Sequence, residues 1–374
     1  MRIGYNGRFF SSVAITGIER VASCLLQYLV RVDKAREYLL FVGSKNYCKD
    51  FLPDKVLVVE CPLLKGNIYA RHTWEQLELP FLIKKYDCDL LFNPANTSPW
   101  LVAHKSILLL YDVSFLINPS WFSRKFFLLY NTLIPPIARK AKRIITISEN
   151  SKRDIVKYLK INPSKVSVVY LAPSELFCQE KKVLVDEDID NLNIKKPFIL
   201  FVGSLAPRKN LKGLIEAFCL LKKEKRIAHS LLIVGARNIN FPLKEKNIDA
   251  GISRDIQFLG YLPDIEIKKL YLKADLFVYP SFYEGFGLPP LEAMSCGCPV
   301  VVSNTSCFPE IYADAAYYVD PYKPQSIAEG ILKVLIDKEL SANLVKKGLE
   351  RVKLFSWEKA AEDTIKILDE IKYS

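Results

Sequence analysis

The stretch Asp275-Leu-Phe-Val-Tyr279-Pro280-Ser-Phe-Tyr-Glu284-Gly285-Phe286-Gly287-Leu288-Pro289-Pro-Leu-Glu292-Ala293 decides how the rest of this chain is read. Leu276 to Tyr279 form a short apolar run suited to a strand buried on both faces. A glycine-rich loop follows, and a proline stands near the first position of the helix after it. Strand, loop and helix in succession is the repeating step of a parallel sheet covered by helices. The amides of Gly285, Phe286, Gly287 and Leu288 are placed to face a phosphate at the positive end of that helix. Glu284 lies in the loop before the glycines and Glu292 is expected in the helix's first turn. Neither suits the phosphate, because like charges repel. Sugar hydroxyls suit them better, since a carboxylate only accepts hydrogen bonds. Glu284 then takes a hexose and Glu292 a ribose, with a diphosphate between. Read alone, Glu292 also fits as a charge that favours the helix dipole.

A second loop of the same kind lies upstream. In Phe198-Ile-Leu-Phe-Val-Gly203-Ser204-Leu-Ala-Pro-Arg208-Lys209-Asn210, a buried strand runs into Gly203, which permits close backbone approach. Arg208 and Lys209 can neutralise a diphosphate, and Asn210 is placed to cap the next helix. The same residues also read as a surface loop with two solvated charges. Two such loops in one half point to a nucleotide-diphosphate-sugar site.

Working outward, strand-like runs alternate with helical segments along the whole chain. Strands are expected at 3–5, 38–42, 56–59, 90–92, 106–110, 143–147 and 166–169, then at 198–202, 230–234, 255–258, 276–279, 300–302 and 317–319. Helices are expected at 17–30, 74–84, 122–138 and 150–159, then at 210–223, 265–272, 290–295 and 326–337. The fold class is therefore α/β, with two Rossmann-like parallel-sheet domains facing a central cleft, and ligands bind beyond the carboxyl ends of strands in such sheets. The expected boundaries are 1–173 for the first domain, 174–196 for a polar linker and 197–374 for the second. The final helix, 357–371, is counted with the second domain and its packing is left open.

The composition is that of an ordinary globular chain: 374 residues, half of them apolar and a quarter charged. Disordered, collagen-like and coiled-coil classes are excluded. Nine scattered cysteines read as buried thiols in a reducing compartment, and Cys296-Gly-Cys298 lacks a second pair at zinc spacing. The start, Met1-Arg-Ile-Gly-Tyr-Asn-Gly, does not read as a signal peptide. The expected location is cytoplasmic, peripheral to the inner face of the plasma membrane.

The net charge of +12 is unevenly spread, because residues 1–174 hold 25 Lys or Arg against 13 Asp or Glu, and the remainder holds 28 of each. It is densest at Trp121, Arg124 and Lys125 and at Arg139, Lys140, Lys142 and Arg143. Aromatics followed by cations suit an anionic membrane surface. The same segment also reads as a helix burying Phe126, Leu129 and Leu133 with a solvated basic face. No nucleic-acid-binding pattern is present, so nucleic acid is not an expected partner.

Glu284 and Glu292 at this spacing resemble the signature of the family 4 retaining glycosyltransferases of the GT-B fold. Gly203-Ser204 and Arg208-Lys209-Asn210 resemble that family's donor loop, and Thr16-Gly17-Ile-Glu-Arg20 its first loop, whose glycine approaches the donor phosphates. Trp74-Glu-Gln-Leu with Pro80, Phe92-Asn-Pro-Ala-Asn-Thr-Ser-Pro99, Asp112-Val-Ser-Phe115 with Pro119, and Ile147-Ser148-Glu-Asn-Ser151 resemble segments of its polysaccharide and O-antigen mannosyltransferase branch. The family commonly has His-Asp where this chain has Tyr111-Asp112. Asp112 is kept as a catalytic cleft residue; Tyr111 departs from the pattern.

The resemblance implies a hexose transferred from a nucleotide-diphosphate-sugar donor, GDP-mannose first and UDP-sugars next, bound by the domain at 197–374, to a lipid-diphosphate-linked glycan acceptor bound by the domain at 1–173. It also implies front-face attack, in which the departing diphosphate oxygen takes the acceptor proton. Arg208, Lys209 and the 285–288 amides would stabilise the leaving charge. No DxD motif stands at a strand end, so neither metal nor other cofactor is expected. Replacing Glu284 by Ala is expected to abolish transfer with the fold intact. Three rivals are a sugar-nucleotide epimerase, whose acid/base pair is not evident, a phosphorylase, which needs a pyridoxal lysine and far more chain, and a membrane-bound scaffold, which needs neither loop.

Overall fold

A computed structural model describes residues 1–10, 17–47, 52, 56–178, 194–236 and 250–372. Two sheets organise the chain, each at the centre of its own unit: Met1–Leu171 with Ser356–Ser374, and Ala172–Phe355. The first holds β1 (Arg2–Asn6), β2 (Glu37–Val42), β3 (Leu57–Glu60), β4 (Leu90–Asn93), β5 (Ser106–Leu109), β6 (Arg143–Thr146) and β7 (Val166–Val168). Their order is β3-β2-β1-β4-β5-β6-β7, all parallel. The second holds β8 (Phe198–Val202), β9 (Ser230–Val234), β10 (Ile256–Gly260), β11 (Leu276–Tyr279), β12 (Val300–Ser303) and β13 (Tyr317–Val319). It runs β10-β9-β8-β11-β12-β13, also parallel.

Each sheet winds outward in both directions from a central pair, β1 beside β4 and β8 beside β11. Such reversals open a crevice at the carboxyl ends of the two strands. The strands are where the apolar runs demanded, all within two residues of expectation. The reason is burial on both faces: β8, β9, β11 and β12 are buried at every position.

Three elements differ from expectation. A helix at Lys338–Val352, not anticipated, follows Pro324–Ile336 directly. Asp337 ends the first and caps the second, accepting from the Leu340 amide at 2.9 Å, so neither Gly nor Pro marks the break. The expected helix at 74–84 is three pieces, Ile68–Thr73, a π-helical turn Trp74–Glu78, and Leu79–Lys85. The third difference corrects the domain boundary. The final helix, Trp357–Lys372, packs on Gly17–Val32 of the first unit and not on the second sheet. Its buried stripe is Trp357, Ala360, Ala361, Thr364, Ile367, Leu368 and Ile371, at helical spacing. Asp369 pairs with Arg36, and Glu370 Oε2 accepts from Arg143 at 2.7 Å. Of the expected linker, residues 179–193 lie outside the described residues, as do Thr16 and Cys48. Glu175–Cys178 is a helical turn of the second unit.

Candidate active site

The crevice between β8 and β11 gathers both loops of the second unit. Gly203 leaves β8, and its amide donates to Val234 O at 2.9 Å. Gly235, at the end of β9, comes so close to this turn that a Cβ would stand 1.9 Å from Gly203 O. Only glycine fits there. Pro207–Lys209 then form one 3-10 turn, and Asn210, in the left-handed region, caps Leu211–Lys223 by accepting from the Gly213 amide at 3.2 Å. Ser204 is exposed on this loop.

Glu284 is the centre of the site. It is buried at 6% exposure, and Arg208 Nη1 donates to its Oε2 at 2.6 Å while Lys209 Nζ donates to Oε1. The Tyr279 hydroxyl adds a bond to Oε1 at 3.3 Å, and Lys209 lies 4.9 Å from the centre of that ring. Ser306 fixes the Glu284 backbone, its hydroxyl accepting from the amide at 3.1 Å and donating to the carbonyl. Burial opposes the charge of Glu284, but Arg208 and Lys209 outweigh it and hold the carboxyl at about 2. Burial, then the Glu284 charge, pushes the Tyr279 hydroxyl well above its usual 10. Two cations and one carboxylate leave this cluster with one net positive charge, the sign a diphosphate needs. An alanine at Glu284 strands the buried Lys209 and the part-buried Arg208, so the expected intact fold does not follow; glutamine is the better probe.

Gly287, at φ +88°, starts Leu288–Ser295, and a Cβ there would meet the Tyr312 hydroxyl at 2.3 Å. Tyr312 and Cys307 donate to the carbonyls of Gly287 and Phe286, pinning the loop from below. Phe286 packs edge-on against Phe355, so its side chain belongs to the core. Gly285 is buried and Leu288 half-buried beside it. Glu292 corrects the expectation: it lies in the helix's second turn, is buried, and accepts from the Tyr271 hydroxyl at 3.4 Å. Tyr279, Tyr271 and Ser306 were not legible as site residues. Tyr279 ends a strand run beside Gly203, but nothing in spacing marks the other two. Cys296 and Cys298 are buried thiols.

In the first unit, Asp112 Oδ1 accepts from the Ser114 amide at 2.8 Å and its hydroxyl at 2.6 Å, which shapes the turn into Ser114–Ile117. The Tyr111 hydroxyl donates to Pro94 O at 2.8 Å within the core, so its proton is already committed. Gly17 begins its helix exposed, and no described atom lies within 4 Å of a Cβ placed there. The helix Arg124–Lys140 settles the two readings of the basic segment in part. Phe126 and Leu133 pack on the core, whereas Leu129 is 41% exposed and Leu128 67%. Arg124, Lys125, Arg139, Lys140 and Lys142 are exposed, Trp121 is half-buried, and Arg143 is turned to Glu370. Lys140 Nζ sits 4.1 Å over the exposed ring of Trp100. Among the described residues no helix is long and apolar enough to cross a membrane.

Known proteins resemble this chain. The family described as glycosyl transferases group 1 matches residues 185–351. O-antigen chain mannosyltransferase B of Escherichia coli is 36% identical over 227 residues, covering 60% of this chain and 60% of that protein. The chain thus spans three fifths of that relative's length. O-antigen chain mannosyltransferase RfbU of Salmonella typhimurium is 30% identical over 268 residues, 71% of this chain and 70% of the relative. Among solved structures, WaaG, a glycosyltransferase involved in lipopolysaccharide biosynthesis, matches with a TM-score of 0.74 at 15% identity, over 98% of this chain and 99% of its own. That likeness concerns the fold, and the GT-B architecture of two parallel-sheet units is the one observed.

Proposed function

The chain belongs to the group 1 glycosyl transferases, and from that premise we propose that it is a retaining hexosyltransferase moving mannose from GDP-mannose to a lipid-diphosphate-linked glycan. The observation that carries the proposal is Glu284, buried against Arg208 and Lys209 at the β8–β11 reversal. The mannose and glycan assignments draw on the named activities of the two O-antigen relatives. In the reaction the bond from the sugar's anomeric carbon to the diphosphate oxygen breaks and a bond to the acceptor hydroxyl oxygen forms on the same face. The acceptor proton passes to the departing oxygen. Arg208 and Lys209 stabilise the charge that grows there, an interaction stronger in the transition state than before it. Glu284 keeps both cations in place and offers its lone pairs to the hexose, and Glu292 holds the ribose. We assign no step to a metal ion.

The donor is tested by thermal shift with GDP, UDP, ADP and their sugar conjugates, with and without magnesium. A ligand at 100 times its Kd stabilises by about 2.7 kcal/mol. A selective, magnesium-independent shift with GDP and GDP-mannose is expected. A response to uridine nucleotides alone would replace mannose by another sugar, and no response to any nucleotide would end the transferase reading.

A further inference from the structure

The first sheet reverses its winding between β1 and β4, and the crevice there carries a buried polar network. Asn6 ends β1, Asn93 ends β4, and Asn6 Nδ2 donates to Asn93 Oδ1 at 3.1 Å between them. Arg8 Nη1 donates to Glu75 Oε2 at 3.0 Å and to His72 Nδ1 at 2.6 Å, while Nη2 donates to Thr97 Oγ1 at 2.9 Å. Glu75 also accepts from Asn6 Nδ2 at 2.8 Å and from Thr97 Oγ1 at 3.0 Å. Arg8 is 4% exposed and Glu75 and Thr97 not at all.

Stability alone does not account for this arrangement. A buried ion pair is often matched or bettered by apolar residues of similar volume. The backbone is also irregular here, since Glu75 belongs to the π-helical turn Trp74–Glu78, a distortion that concentrates at functional sites.

His72 is the member of the network that faces outward. A guanidinium can only donate, so His72 Nδ1 accepts and the ring proton sits on Nε2. Burial, then the Arg8 charge, lowers the imidazole to about 4, which keeps the ring neutral near pH 7. Its side chain is 17% exposed, and Nε2 has no hydrogen-bond partner among the described residues. Arg8 and Glu75 cancel in charge, so a phosphate finds no net attraction here. A neutral hydroxyl finds a fixed donor.

We propose that His72 Nε2–H donates to a saccharide hydroxyl of the acceptor glycan, with Arg8, Glu75 and Thr97 as positioning residues that fix the ring and its tautomer. This deepens the transferase reading above and rests on it.

The test uses the full chain, with the nucleotide sugar it hydrolyses fastest as donor and octyl glycosides of mannose, glucose, galactose and N-acetylglucosamine as acceptor probes. Loss of one such hydrogen bond in H72F raises the acceptor KM about tenfold and moves the donor KM far less. H72Q, whose amide can accept from Arg8 and donate outward, recovers part of that loss. Nitrogen-15 spectra of histidine-labelled protein check the geometry separately: His72 should carry its proton on Nε2 at pH 7, and that nitrogen should shift when the glycosylated probe is added. An Nδ1–H tautomer, an unchanged acceptor KM in folded H72F, or equal rises in both KM values overturns the socket. So does wild-type protein that hydrolyses its donor yet glycosylates none of the four probes. Wild-type protein that turns over no nucleotide sugar overturns the transferase reading itself.

Discussion

Glu284 is held well below its usual range, at about 2 against 4.5, because two cations share it in a buried place. A carboxyl depressed on folding stabilises the folded state above its unfolded pKa, and that contribution is lost as pH falls through the folded value. Glu284→Gln removes the charge at every pH. Urea unfolding should therefore show a variant less stable than wild type by roughly 3 kcal/mol near pH 7, the cost of leaving cations buried with no counter-ion. The gap should close as pH falls from about 4.5 towards 2, where wild type becomes protonated as well; a gap independent of pH would show that the ion cluster does not set the stability. Transfer should fall at least a hundredfold in the same variant, measured as sugar incorporated per enzyme. His72 offers a second titration. Its folded value is also depressed, so stability is lost as pH falls from about 6.5, where the unfolded ring takes up a proton, to about 4. For the His72 imidazole a midpoint near 4 is the expected observation; an undepressed midpoint would remove the burial and the Arg8 charge that lower it.

The terminal helix makes the corresponding argument for an element. Leu368, fully buried on Gly17–Val32, should cost about 2–5 kcal/mol when replaced by Ala, and the loss should appear in the first unit. Hydrogen exchange can separate the two units: amides of β1 and β2 should exchange faster in Leu368→Ala while those of β8 and β11 stay protected, and the opposite pattern would return the helix to the second unit. That address could not be read in the sequence. An apolar stripe says that a helix packs and gives no word on which sheet receives it. The strands were legible because runs such as Phe198–Val202 are apolar throughout, and the β8 and β11 loops were legible because glycines, cations and carboxylates stand next to the strands that carry them. Arg8 and Glu75 were not, since nothing local marks a pairing across 67 positions. The π-helical turn that carries Glu75 leaves no trace in an apolar period either.

For the whole molecule, the address of that helix changes the charge balance. Residues 356–374 add three cations and five anions to the first unit, so its excess falls from +12 to +10 and Arg143 is answered by Glu370. Among the exposed cations, Arg124, Lys125, Arg139 and Lys140 share one helix. At 100° per residue, Lys125, Leu128, Leu129, Thr132, Arg139 and Lys140 fall within about 60° of one side of Arg124–Lys140, and all six are exposed. Two leucines thus lie between cations roughly 22 Å apart along the axis, which is the pattern of a helix lying flat in a membrane interface. Each cation near an anionic surface contributes about 1 kcal/mol, so Lys125→Ala with Lys140→Ala should weaken binding to phosphatidylglycerol vesicles by roughly tenfold or more, and added salt should weaken wild type likewise. Leu128→Ser with Leu129→Ser should weaken it by a similar factor with little dependence on salt, because apolar insertion is not screened. Co-sedimentation measures all three. Equal binding to phosphatidylcholine and phosphatidylglycerol, or variants that sediment like wild type, would leave this helix an ordinary solvated face.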